Sequence, residues 1–205
     1  MKKYFVMLAA LALVSCKSSS PVAKIDSDTL VLDKVHSKLS AIAMKNEIKE
    51  VEVRFPNLDG TLQLSPFKGI VNVGIDTLDT GDKTRDANIE TLFFEVAMAA
   101  MNKSASFELD SLQGDLSTLQ DGQSFPMTGK GTLSIHGAKV DLSGPLNITK
   151  LAGGGYSASF SDLWTVNIKD AGMLDQLANL NKNCPQPHRV GLNVKMKGEL
   201  VYIKQ

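Results

Sequence analysis

The feature that most constrains this chain is a two-residue alternation of apolar and polar side chains, repeated in short runs along most of its length. In "EVEVRF", residues 50–55, Val51, Val53 and Phe55 share one parity while Glu50, Glu52 and Arg54 share the other. Successive side chains of a strand point to opposite faces, so such a run has one apolar face only if it is extended. The pattern returns in "GIVNVGID" (Val71, Val73, Ile75) and in "GTLSIHG" (Leu133 and Ile135 against Thr132, Ser134 and His136). "YSASFS" sets Tyr156, Ala158 and Phe160 against three serines, and Trp164, Val166 and Ile168 continue the parity. In "VGLNVKMKG" the inward set is Val190, Leu192, Val194 and Met196, with Asn193, Lys195 and Lys197 outward. "NLDG" at 57–60, "QDGQ" at 120–123, "HGAK" at 136–139 and "AGGG" at 152–155 read as turns between the runs. Eight or nine strands at this spacing suit an antiparallel barrel or sandwich joined mostly by hairpins.

Two stretches leave this pattern. "TGDKTRDANIETLFF", residues 80–94, opens with charge and then places Ile89, Leu92, Phe93 and Val96 at helical spacing, with Asp82 as the expected N-cap. "DAGMLDQLANLNK", residues 170–182, carries the stripe Met173, Leu174, Leu177 and Leu180, with Asp170 as the expected cap. Prolines 185 and 187 end that second helix.

The N-terminal segment reads as an export leader. Lys2 and Lys3 precede an apolar run over 4–14, about half of the roughly 20 residues a membrane-spanning helix needs. "LVSC", residues 13–16, has the form of a lipobox, in which Cys16 supplies the thiol for a diacylglyceryl thioether and, after cleavage, an amine for further acylation. A second acyl chain turns marginal membrane attachment into a firm anchor. The competing reading is an ordinary leader with a chance cysteine. The serine-rich segment after Cys16 is a flexible tether. The chain thus divides into a leader (1–15), lipidated cysteine and tether (16–28) and one domain (29–205). Lys17 follows Cys16 where an aspartate would favour inner-membrane retention. The expected location is therefore the bacterial cell envelope, lipid-anchored at the outer membrane and facing the periplasm, with surface display as the alternative.

The 22 basic and 22 acidic residues balance over the whole chain. Removal of 1–15 takes two lysines and no acid, leaving a net charge near −2. This is not the basic footprint of a nucleic-acid binder. With Cys16 modified, Cys184 has no intrachain partner, so no disulfide frames the fold. "CPQPH" sets Cys184 and His188 in one loop, but two residues fall short of the four ligands of a zinc site. No nucleophile elbow, phosphate loop or HExxH motif is present. Neither an enzyme nor a cofactor is expected.

The segment "IDTLDTGDKTRDANIETLFF", residues 75–94, resembles the YceI-like family of lipocalin-like, polyisoprenoid-binding periplasmic proteins. The likeness rests on Asp79, Thr80 and Gly81 in the turn, Arg85 and Asp86 opening the helix, and Phe93 and Phe94 closing it. "ASF" at 105–107 and "MTGKGTLSIHGAKVDLSGPLNI" at 127–148 resemble the family's next strand and its later hairpin. The family's Tyr-Pro pair after Phe-Phe is replaced here by "EVAMAAMNKS", residues 95–104. The resemblance implies an all-β fold with one or two short helices: an extended eight-stranded antiparallel lipocalin-like barrel. It also implies an apolar lumen for an isoprenoid or similar amphiphilic chain.

Each candidate residue carries two readings. Ile89, Phe93 and Phe94 plug one end of the barrel or wall a ligand cavity. Tyr156, Phe160 and Trp164 share a strand face and are core or ligand contacts. Arg85 and Asp86 satisfy each other or nearby backbone groups where strand becomes helix. Met98 and Met101 form an adaptable apolar surface or a helix end packed on the barrel. Small inward residues such as Ala158 and Gly74 would leave room in the lumen. The leading expectation is a membrane-anchored lipoprotein carrying an isoprenoid, quinone or fatty-acid-like lipid. The alternative is a structural or interaction lipoprotein with a filled barrel.

Overall fold

The computed structural model describes residues 28–160, 164–183 and 189–205. The expected leader, Cys16, nearly all of the expected tether, Cys184 and His188 lie outside the described residues.

Eleven strand segments form one antiparallel sheet. They are β1 (Thr29–Leu32), β2 (Lys38–Lys45), β3 (Lys49–Arg54), β4 (Leu58–Leu64), β5 (Phe67–Gly74), β6 (Ser104–Gln113), β7 (Ser124–Ile135), β8 (Ala138–Lys150), β9 (Tyr156–Ser159), β10 (Trp164–Asn167) and β11 (Val190–Ile203). They act as eight runs, because β1 and β2, β3 and β4, and β9 and β10 are each one interrupted course around the barrel. The order β1-β4-β5-β6-β7-β8-β9-β11 closes through β1 against β11, at Val31↔Ile203 and Leu32↔Tyr202. At the other end of β11, β2 and β10 flank its first half. Closure removes most of the edge an open sheet would carry, leaving β3 paired only with β2 apart from the Arg54–Asp79 bridge and β10 only with β11.

The β7–β8 hairpin turns on His136 (φ 50°) and Gly137 (φ 80°), the left-handed pair that matches strand twist in a two-residue loop. The expected turn "NLDG" is different. Leu58, Asp59 and Gly60 already belong to β4, and the chain passes from β3 to β4 without reversing. Gly60 is there because β5 comes close: a Cβ would lie 2.2 Å from the Ile70 carbonyl oxygen. A Cβ on Gly74 would lie 2.8 Å from the Asn57 side chain, and Gly74 does not line the lumen.

The inward parity of 51, 53, 55, of 71, 73, 75 and of 156 to 168 builds the core, in which Ile75, Leu58, Leu30 and Met173 are at most 2% exposed. Leu192 departs from its expected place and is 45% exposed. A register shift between Val190 and Val194 interrupts the alternation, so parity restarts at Val194.

One end of the barrel is covered by helical turns. Helix α1 (Lys83–Asn88) begins at the expected N-cap, Asp82, whose carboxylate accepts from the Thr84 and Arg85 amides. A π-helical turn, Ile89–Phe93, follows, with Phe94 N–H donating to the Ile89 carbonyl. Helix α2 (Leu174–Asn183) starts four residues later than Asp170. Asp170 sits instead in a turn ending at Gly172 (φ 68°), and Leu174 faces outward, so the buried stripe is Met173, Leu177 and Leu180. The "VAMAAM" segment is no helix end packed on the barrel: Met98 and Met101 are exposed, Met101 within a 3-10 turn, Ala100–Lys103.

Candidate functional site

The covering turns are held in place from three sides. Beyond β5 the chain bridges β3, where Arg54 and Asp79 exchange both backbone hydrogen bonds and the Arg54 guanidinium lies 2.8 Å from the Asp79 carboxylate. Asp86, buried, accepts from Thr80 N–H (2.8 Å) and Thr80 Oγ1 (2.7 Å). From α2, Asn179 Nδ2 donates to the Leu92 carbonyl and Gln176 Nε2 to the Glu95 carboxylate. His136 Nε2, on the β7–β8 turn, lies 3.3 Å from the same carboxylate.

Arg85 and Asp86 do not pair with each other. Arg85 lies 3.5 Å from Asp82, while Asp86 is satisfied by Thr80 and by Lys83 at 3.3 Å. Burial pushes the Asp86 carboxyl up, but the hydrogen bonds from Thr80 and the nearby Lys83 ammonium outweigh it and hold the group below its ordinary value. Glu90 moves the other way: burial, then the Asp86 and Asp76 charges, raise it.

Beneath this cover the lumen contains three cavities in series, of about 270, 150 and 60 Å³. The first and second share Ala41, Phe55, Phe93, Phe94, Ile168 and Val194 as walls. Its rim is polar at Lys45, Asp82, Thr84, Arg85 and Asn88, and its floor is apolar. The second is apolar throughout. The third lies under Phe107, Phe160 and Trp164 and reaches Tyr156 and Tyr202. Val194 borders the first cavity and Tyr202 the third. Eight residue steps at about 3.3–3.4 Å put these levels roughly 27 Å apart along β11.

The six residues singled out from sequence all meet this space. Ile89, Phe93 and Phe94 wall its outer end, Phe160 and Trp164 its middle, and Tyr156 its inner end. The π turn adds a residue to the helical repeat there, and the Phe93 and Phe94 rings pack edge to face at 4.8 Å. Sequence reasoning missed Lys45 and Asn88 on the rim, whose only signal was proximity to strand and helix ends. It also passed over the alanines that leave the lumen open, Ala41, Ala43 and Ala105. Among the described residues no cluster of three or more His, Cys, Asp or Glu side chains could hold a metal ion.

A closed antiparallel barrel with an apolar lumen and a helical cover defines a lipocalin-like protein. The match to the YceI-like domain runs over residues 30–202, nearly the whole described chain, and the protein belongs to that family. No curated protein matches it. Among solved structures it is similar to a polyisoprenoid-binding domain from Saccharophagus degradans implicated in plant cell wall breakdown. That match has 18% identity and a TM-score of 0.74, and covers 88% of this chain and 100% of that one. It is also similar to Burkholderia cenocepacia BcnA, at 15% identity and a TM-score of 0.64, covering 83% and 98%. At these identities the likeness is one of fold.

Proposed function

We propose that this protein binds or carries an apolar chain, such as an isoprenoid, a quinone or a fatty-acid-like lipid, in the barrel lumen. The observation that carries the reading is a pair of adjoining outer cavities, of about 270 and 150 Å³, that share six wall residues. Ile89, Phe93, Phe94, Phe160 and Trp164 are its ligand contacts, the polar rim takes the head group, and Tyr156 borders only the third cavity. Membership of the YceI-like family and likeness to a polyisoprenoid-binding domain support it. Each methylene withdrawn from water contributes about 0.8 kcal/mol, so a long chain needs few polar contacts. The role is binding rather than catalysis. A lipid anchor on Cys16 holds the domain at the cell envelope, facing the periplasm from the outer membrane.

The test uses a Cys16→Ser variant, which lacks the thiol for acylation and is purified without detergent. Native mass spectrometry, organic extraction and lipid identification should show a co-purifying apolar chain. A clean protein mass with no uptake of added polyprenols, quinones or fatty acids would overturn the reading and leave a scaffold lipoprotein. Radiolabelled palmitate incorporated by the natural chain but not by the Cys16→Ser variant tests the anchor separately.

A further inference from the structure

Trp164 lies between the second and third cavities, and how it is held there differs from its neighbours. Gly129 of β7 and Gly144 of β8 are directly paired across the ladder. The indole lies over this pair: a Cβ on Gly144 would be 2.2 Å from Trp164 Nε1, and one on Gly129 would be 3.4 Å from its Cη2. The missing side chain of Gly144 therefore makes the slot that accepts the ring, whereas a Cβ on Gly129 would meet Leu146 and Leu109 first, at 2.9 and 3.0 Å. Nε1 also donates to the Pro145 carbonyl at 3.1 Å. That bond serves where β10 lies beside β8 without a ladder pairing. Phe107 and Phe160 close on the ring edge to face, at 5.5 and 5.6 Å. The three aromatics border both cavities. Above them the spaces measure about 270 and 150 Å³; below them, about 60 Å³. A buried apolar cavity of about 150 Å³ is enough to admit benzene, and 60 Å³ is well short of that.

We infer that Trp164, pinned by the space left at Gly144 and by the Pro145 carbonyl, is the floor of the binding chamber and sets the longest chain it accepts. This rests on the lumen reading above. A chain entering beneath α1 fills the outer two cavities and stops at the indole. The third cavity lies beyond the indole and does not contribute to affinity.

The experiment measures affinity for a series of polyprenols of increasing isoprene number by native mass spectrometry. In the natural chain, affinity should rise with length and then stop rising at a limit. Trp164→Leu should move that limit by at least one isoprene unit and strengthen the next-longer homologue about tenfold or more. Ala158→Phe, which fills the third cavity from below, should leave the natural limit where it is. In the double variant it should restore the limit that Trp164→Leu had moved. If Ala158→Phe alone shortens the limit, or Trp164→Leu folds and leaves it unchanged, the chain already passes Trp164 and the inference is wrong. Should Trp164→Leu not fold, the Ala158→Phe result decides. Failure of every homologue to bind the natural chain would instead overturn the lumen reading itself.

Discussion

Asp86 and Thr80 are six residues apart, and two hydrogen bonds join them: the Thr80 amide and hydroxyl both end on one oxygen of the buried Asp86 carboxylate. The pair ties the segment leaving β5 to the first turns of α1.

Removing that carboxylate leaves a backbone N–H without its partner beneath the cover. Asp86→Ala should destabilise the fold by about 1–3 kcal/mol, read as a lower urea midpoint, with Asp86→Asn costing less. Because the folded carboxyl titrates below its ordinary value, its contribution is complete above the unfolded pKa of about 3.9 and is lost as pH falls through the folded pKa. The natural chain and Asp86→Asn should therefore converge in stability on acidification below about pH 4. A gap that stays constant to pH 2 would rule out the linkage.

Tyr202 predicts the opposite edge of the pH range. Burial pushes its phenol well above the ordinary value. The neutral form is favoured in the fold, so this contribution is complete below the unfolded pKa of about 10 and is lost as pH rises toward the folded pKa. Alkaline unfolding above about pH 10 should be shallower in Tyr202→Phe, followed by circular dichroism. An unchanged alkaline limb would place the sensitive group elsewhere.

Gly144→Ala puts a methyl group where Trp164 Nε1 sits. Overpacking of this kind costs about 1–3 kcal/mol. As Trp164 is the only tryptophan, its emission should shift to the red as the ring leaves the slot. Gly122→Ala, where nothing lies within 4 Å of the added carbon but φ is +79°, should cost stability without moving the emission.

Ala41 borders both outer cavities. Ala41→Phe should fill the chamber and weaken uptake of an apolar fluorophore about tenfold or more, with a thermal midpoint within a few degrees of the natural chain. Undiminished uptake would mean the fluorophore binds outside the lumen.

The strand register shows where local pattern suffices. Val51, Val53, Phe55, Val71, Val73 and Ile75 are inward as their parity requires, since a half-buried strand has no other face for them. Asp82 caps α1 as its position before a helical repeat suggests. Asp170 had the same local credentials and does not cap α2, because Gly172 lets the chain turn once more before the helix starts. Leu192 was misplaced because a bulge on β11 depends on which strands flank it. Lys45 and Asn88 reach the rim only once the β2 end and α1 are brought together.

By itself, the sequence determined which residues are extended, which face of each run is apolar, and that one charged, phenylalanine-ended segment would interrupt them. Those properties follow from neighbours one to four residues apart. Tertiary structure alone decided that three broken courses make a ring of eight, that Asp86 answers to Thr80 rather than Arg85, and that the indole of Trp164 lies between two cavities. That placement depends on Gly144, Pro145 and Trp164 meeting across separate strands. A glycine's missing side chain has meaning only in terms of what fills the space it leaves.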